Sequence, residues 1–309
     1  MPFPPARYAT ATGRTSFLLR QIITTGYVIC GYRNSQPWTS VNQVTHSTDT
    51  TLDYGSPMPN STAYPAGMAD DNFAYVLKAN NGVGGSSTAN NRYSMRTNTG
   101  TSFTGSPTNV GNGGTALHKE QARAWVNPHT NAGILIRFDF PTATFISNIG
   151  QSFGQQGASG GSSFYGENHG YQYGDGNSSI CGFRFNFATE TQQSTNVYGA
   201  HGQQKAISTK LEKGYAPNEG DYAGGNNLRR FNMTTETNIG NVSKPITNCG
   251  EEDHDMGQAH QYMLGNYNGE QNNRSWRFNY ATDSGFEGGG TMQSKGVPGR
   301  SSAYSAQRS

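Results

Sequence analysis

An all-β chain folded as a β-propeller is what this sequence predicts, and three observations predict it. One seven-residue pattern recurs seven times from end to end. Its copies are separated by about one blade's length, the 45–50 residues that four short strands need. The interval measured across the two termini also matches the first internal interval, as expected of a ring in which one unit is split between the chain ends.

In chain order the copies are Ala6 to Thr12 (ARYATAT), Val44 to Thr50 (VTHSTDT), Tyr93 to Thr99 (YSMRTNT), Phe138 to Thr144 (FDFPTAT), Phe185 to Thr191 (FNFATET), Phe231 to Thr237 (FNMTTET) and Phe278 to Ser284 (FNYATDS). The fifth position is Thr in every copy, and the seventh is Thr in all but the last, which has Ser284. First residues at 6, 44, 93, 138, 185, 231 and 278 give intervals of 38, 49, 45, 47, 46 and 47, and the wrap-around interval is 37. Within a copy the larger and β-branched groups recur with period two, as in Phe185, Phe187, Thr189 and Thr191, which reads as a strand.

Between copies comes an aromatic, usually after a small residue: Tyr27, Tyr75, Trp125, Tyr171, Tyr215, Tyr262 and Tyr304. The distance from it to the next copy suits a strand, a turn and a second strand. Tyr304 has no following copy unless Ala6 to Thr12 supplies it, so the two ends are expected to share a closing blade. Gly and Asn clusters such as Gly174 to Asn177 and Gly224 to Asn227 punctuate the strands, because these residues adopt positive φ at low cost. The nearest helical candidate, Ala206 to Ala216, is interrupted by Gly214 and lacks an apolar face. Seven blades are expected, with six as the alternative. A β-solenoid or a stacked sandwich of the same repeats is the competing architecture. One domain spans 1–309, and 285–309 is either a closing or a docking tail.

Composition suits rings more than aliphatic cores. Hydrophobic residues make up 32% and charged residues 14%, but aromatics reach 11% and fall mostly on the repeat. That concentration favours folding over disorder. Net charge is +2 with scattered basic residues, so no nucleic-acid partner is expected. The longest apolar stretch, Phe17 to Cys30, contains Arg20 and Gln21 and is too polar to span a bilayer. No secretory signal is expected at Met1 to Pro5, and three cysteines (Cys30, Cys181, Cys249) make no disulfide framework. Synthesis in a cytoplasm is the expectation.

The chemistry-bearing motifs are weak. Glu251 to Asp255 with His260 could bind a divalent cation but reads as a solvated loop; its spacing is not that of a calcium loop. His46 replaces an aromatic in the pattern and reads as a packed core histidine. His118 and His201 sit at unequal offsets and read as hydrogen-bonding residues between blades. Gly157 to Gly161 matches Gly-x-Ser-x-Gly around Ser159, but neither the helix of a nucleophile elbow nor the ending of a phosphate loop follows. No catalytic, cofactor or metal residue is assigned, and no enzymatic activity is expected. Aromatics off the repeat, Trp38, Tyr54, Tyr64, Phe164 and Tyr165, are the candidates for contact with a ligand or partner.

The length of the unit, its glycines and its small-aromatic dipeptide resemble kelch-type blades more than WD-repeat blades, although the paired glycines of a kelch repeat sit where they belong in only one blade, at Gly224-Gly225. More closely, Gly170-Tyr171, Phe185 to Thr191, Gly214-Tyr215, Phe231 to Thr237 and Phe278 to Ser284 resemble the propeller proteins encoded by tailed bacteriophages, particularly marine and cyanobacterial ones. The resemblance implies a non-enzymatic virion component of tail, neck or fibre, made in the host cytoplasm and partnered by other virion proteins. A carbohydrate-binding lectin or host-receptor binder, meeting a surface glycan through loop aromatics, is the alternative.

Overall fold

The computed structural model describes residues 25–33, 36–45, 48, 50–61, 66–70, 72–77, 90–104, 115–119, 123–127, 135–146, 162–165, 168–173, 182–195, 207–208, 213–217, 227–243, 253–256, 260–264, 275–287 and 302–306. These residues are almost entirely strand and tight turn. The one helical element among them is a short 3-10 turn, Phe140–Thr142. Among the described residues no helix is long and apolar enough to cross a membrane.

The strands form six antiparallel sheets of four. Five take four consecutive strands each. They are β4 (Ala66–Ala69), β5 (Phe73–Leu77), β6 (Asn90–Ser94) and β7 (Thr99–Phe103); β8 (Thr115–Lys119), β9 (Arg123–Asn127), β10 (Ile136–Asp139) and β11 (Thr144–Ile146); β12 (Ser162–Tyr165), β13 (His169–Tyr173), β14 (Gly182–Asn186) and β15 (Thr191–Thr195); β16 (Ile207–Ser208), β17 (Lys213–Pro217), β18 (Asn227–Asn232) and β19 (Thr237–Ser243); and β20 (Asp253–Met256), β21 (His260–Leu264), β22 (Ser275–Asn279) and β23 (Ser284–Glu287). The first sheet has only three strands of its own, β1 (Thr25–Arg33), β2 (Gln36–Thr45) and β3 (Thr50–Asp53). Its fourth is β24 (Ser302–Ala306), from the other end of the chain, which pairs with β1 so that Tyr304 lies opposite Tyr27.

Seven units were expected, with six as the alternative. Among the described residues there are six sheets, not seven. The strand carrying Tyr304 completes the sheet built on Val44 to Thr50, because that sheet lacks a first strand. The expected partner, Ala6 to Thr12, lies outside the described residues. One correction concerns Glu251 to Asp255, read as a loop: Asp253–Met256 is a strand, paired to β21.

The seven-residue copy is also not one strand. In the five copies from Tyr93 onward its first two residues end the third strand of a sheet, the next four make a turn, and the seventh begins the fourth strand. The side chains explain why the chain reverses there. Asn186 Oδ1 accepts the backbone N–H groups of Ala188 and Thr189 at 2.9 and 3.0 Å. Asn232 and Asn279 do the same two and three residues ahead. An Asn side chain that captures two backbone donors competes directly with strand continuation. The threonines of positions five and seven then bridge the turn through their hydroxyls, at 2.7 Å in Thr189–Thr191 and 2.8 Å in Thr235–Thr237.

The core lies between sheets. The first and third residues of the five copies from Tyr93 onward are buried, as are the aromatics Tyr27, Tyr75, Trp125, Tyr171 and Tyr215. Each of these aromatics packs on the copy in the following sheet. Trp125 meets Phe185 and Phe187 with ring centroids 5.3 and 4.9 Å apart. Tyr171 meets Phe231 at 5.2 Å, Tyr215 meets Phe278 at 5.1 Å, Tyr75 meets Phe138 at 4.8 Å and Tyr27 meets Tyr93 at 5.8 Å. One ring buried on two others supplies the apolar contact that a chain poor in aliphatics cannot get otherwise, worth about 1.5–3 kcal/mol per buried side chain.

Candidate functional site

The sixth position of the copy is where the backbone becomes unusual. Asn98, Ala143, Glu190, Glu236 and Asp283 all have φ between 50° and 56°. Hairpin loops commonly need one left-handed residue, and Gly is the ordinary choice because a Cβ there costs about 1–2 kcal/mol. None of the five is Gly. In three of them the side chain explains the choice, since it reaches the preceding sheet.

Glu190 Oε1 accepts the indole N–H of Trp125 at 3.2 Å, and Arg137 Nη1 donates to the same carboxylate at 3.2 and 3.4 Å. Glu236 accepts from the Tyr171 hydroxyl at 3.2 Å and from Arg184. Asp283 accepts from the Tyr215 hydroxyl at 2.5 Å, from Arg230, and from Lys213 Nζ at 3.5 Å. Each joint therefore has the same parts. A sheet offers an aromatic N–H or O–H from its second strand and a guanidinium from its third, directly opposite in register. The next sheet answers with a carboxylate held in the left-handed turn.

The electrostatics follow from that geometry. Burial, with Glu236 beside it, pushes the Tyr171 hydroxyl well above its usual range. Burial and the hydrogen bond to Asp283 do the same to Tyr215. For Asp283 burial opposes ionisation, but the donors Tyr215 and Arg230 and the Lys213 charge prevail and hold the carboxyl below its ordinary value of 3.8. His169 stands at the rim of one joint, 3.3 Å from Asn186 Nδ2. Its burial and the Arg184 charge lower its proton affinity against the pull of Glu236.

Two joints depart from the rule. Between the first and second sheets the register partner of Tyr27 is Gln43, not Arg, and sixth-position Asn98 accepts instead from Tyr93 of its own copy at 3.3 Å. Between the second and third sheets Tyr75 and Arg92 are in place, opposite each other, but the sixth position of the next copy is Ala143. Tyr75 donates at 3.3 Å to Asp70 of its own sheet. At the sixth sheet Arg277 holds the same place opposite Tyr262.

Of the candidate contact residues, Tyr54 is half-buried, donates to Gln43 Oε1 at 2.5 Å and packs on Tyr93 at 6.5 Å. Trp38 stands opposite Gly31 in the first sheet. Phe164 and Tyr165 lie on β12, opposite Tyr171 and Gly170. Tyr64, like His46, His201 and Gly157 to Gly161, lies outside the described residues. Among the described residues no group of three His, Cys, Asp or Glu is placed to hold a metal ion.

The charged joint was not part of the sequence reading, though its signal is plain afterwards. Arg92, Arg137, Arg184, Arg230 and Arg277 each immediately precede a copy, and an acid fills position six at Asp49, Glu190, Glu236 and Asp283. A scan against protein-family models and a search of curated proteins found no match to this chain.

Proposed function

We propose that the six sheets are the blades of one closed propeller and that the chain is a non-enzymatic structural component of a bacteriophage virion, in tail, neck or fibre. Closure is supported by the neighbours of β24, which lies against β4 on one side and β20 on the other. The first strands of the remaining sheets follow in turn, β4 beside β8, β8 beside β12, β12 beside β16 and β16 beside β20. Six blades replace the expected seven in this reading.

The functional reading rests on the likeness of the blade repeat to phage propeller proteins. One structural observation supports an assembly role. In three consecutive joints the acids and their arginine partners are used to hold sheet to sheet. The exposed turns carry neutral hydroxyl pairs instead, from Thr48–Thr50 through Thr282–Ser284. Six turns of the same chemistry suit a virion partner arranged about an axis, which would meet equivalent groups on successive blades. Other virion proteins are thus the proposed partners.

Mass spectrometry of purified particles tests this. Peptides of the chain should be present at a copy number that is a fixed multiple of three, five, six or twelve per particle, and absence from particles would overturn the reading. Glycan-array binding by the isolated chain, lost on Trp38→Ala or Tyr165→Ala, would favour the lectin alternative.

A further inference from the structure

We propose that the joint between the second and third sheets is a binding site for an external carboxylate, which takes the place that Glu190, Glu236 and Asp283 fill elsewhere. A cleft of ≈ 440 Å³ opens there, lined among others by Asp70, Phe73, Tyr75, Arg92, Phe140 and Ala143. The aromatic and the guanidinium of the charged joint are both present, although the Tyr75 hydroxyl is donated to Asp70. Tyr75 and Arg92 stand opposite each other in register, as Tyr171 and Arg184 do. Ala143 has the same left-handed backbone as the acids, φ 50° against 54° for Glu190, so the turn is aimed correctly but carries no oxygen.

Arg92 is what the missing acid would have neutralised. Its guanidinium carbon lies over the Phe73 ring, 4.5 Å from the centroid, a cation–π contact. Among the described residues no carboxylate forms an ion pair with it, whereas Arg137, Arg184 and Arg230 each have one. The Nε of Arg92 is buried and has no hydrogen-bond partner; that is equally true of Arg137 and Arg230, so the distinction lies in the terminal nitrogens. Asp70 shares the cleft, but its oxygens are taken up by the backbone N–H groups of Asn72 and Phe73, both at 2.7 Å, and by Tyr75. It accepts the tyrosine hydroxyl but forms no ion pair with the arginine.

The fitting ligand is planar, anionic and bidentate, which a carboxylate is. The cleft is larger than a carboxylate alone, and Phe73 and Phe140 give its walls apolar surface. A carboxylate on a short aliphatic stem therefore suits it. A free small acid and a glutamate side chain of a partner share that chemistry. This site goes beyond the assembly reading and does not depend on it.

The test is thermal unfolding and calorimetric titration of the full chain with acetate, glutarate and a blocked short peptide bearing a single glutamate, each at constant ionic strength made up with chloride. The melting temperature of the wild-type chain should rise with ligand concentration by mass action. Arg92→Gln should lose the response. Ala143→Glu should lose it as well while melting above wild type, since the turn then supplies its own acid. That variant separates occupancy of the site from damage to the fold. Response to acetate and glutarate points to a free acid, and response to the peptide alone points to a partner's side chain. A wild-type chain that responds to none beyond chloride, or an Ala143→Glu chain that still responds, would overturn the proposal.

Discussion

Truncating Glu190 to Ala removes one complete joint without touching the rings beneath it. Arg137 Nη1 lies 3.2 Å from Glu190 Oε1, a gross attraction of about 5 kcal/mol at an effective dielectric constant near 20. The two side chains are 19% and 23% exposed, so solvent screens part of that attraction and desolvation offsets more. Removing one partner of a fully buried pair costs about 3–5 kcal/mol, and an exposed pair is worth at most about 1. A pair one-fifth exposed belongs between them. The Trp125 indole N–H also loses its acceptor, 3.2 Å away. Together the expected loss is about 2–3 kcal/mol. In urea this would lower the midpoint by about 1 M for an m-value near 3 kcal/mol/M.

Two further substitutions divide that loss into parts. Glu190→Gln keeps an acceptor and removes the charge, and should lose about 1 kcal/mol. Glu190→Gly loses the carboxylate but relieves the left-handed backbone, and should be about 1 kcal/mol more stable than Glu190→Ala. The destabilisation of Glu190→Ala should also shrink in high salt. The reasoning is refuted if Glu190→Ala unfolds within about 0.5 kcal/mol of wild type at low salt, or if the glycine variant is the less stable of the two.

Asp283 should make stability fall in acid. Its folded pKa lies below the ordinary 3.8, so its contribution is complete above that value and is lost as pH falls through the folded value; stability curves for Asp283→Asn should be flatter below about pH 4, and parallel curves would contradict the joint at Tyr215. Gly100→Ala should cost about 1–3 kcal/mol by overpacking, because a Cβ there would meet Pro57 O at 2.5 Å and Met58 Cα at 2.8 Å, both backbone atoms; calorimetry should show a lower melting temperature. Asn186→Ala removes the acceptor for two turn N–H groups and should cost about 1 kcal/mol, read by the same urea titration.

The sequence carried the period and the burial of the repeat aromatics because both arise from local, recurring constraints. Tyr27, Tyr75, Trp125, Tyr171 and Tyr215 recur because every joint needs a ring there, and all are buried. The internal structure of the copy was misread for a physical reason. Phe185, Phe187, Thr189 and Thr191 alternate like a strand, but two of the four sit in a turn that Asn186 enforces through its side chain. Alternation records which way side chains face and not whether the backbone keeps going. The charged joint was missed because its halves lie 53 residues apart in Arg137 and Glu190, in different sheets, and only the register makes them neighbours. The number of sheets needed knowledge of where β24 pairs, which a terminal strand with no following copy does not reveal.

Closure through β24 can be measured by hydrogen exchange on the wild-type chain and on Ala303→Pro, which blocks pairing opposite Val28 without shortening the chain. If β24 is an ordinary edge strand of one sheet, only peptides from residues 25–33 should exchange faster. If it closes a ring, peptides from 66–69 and 253–256 should quicken with them, because β24 also supports β4 and β20. The account predicts acceleration in all three; acceleration confined to residues 25–33 would contradict it.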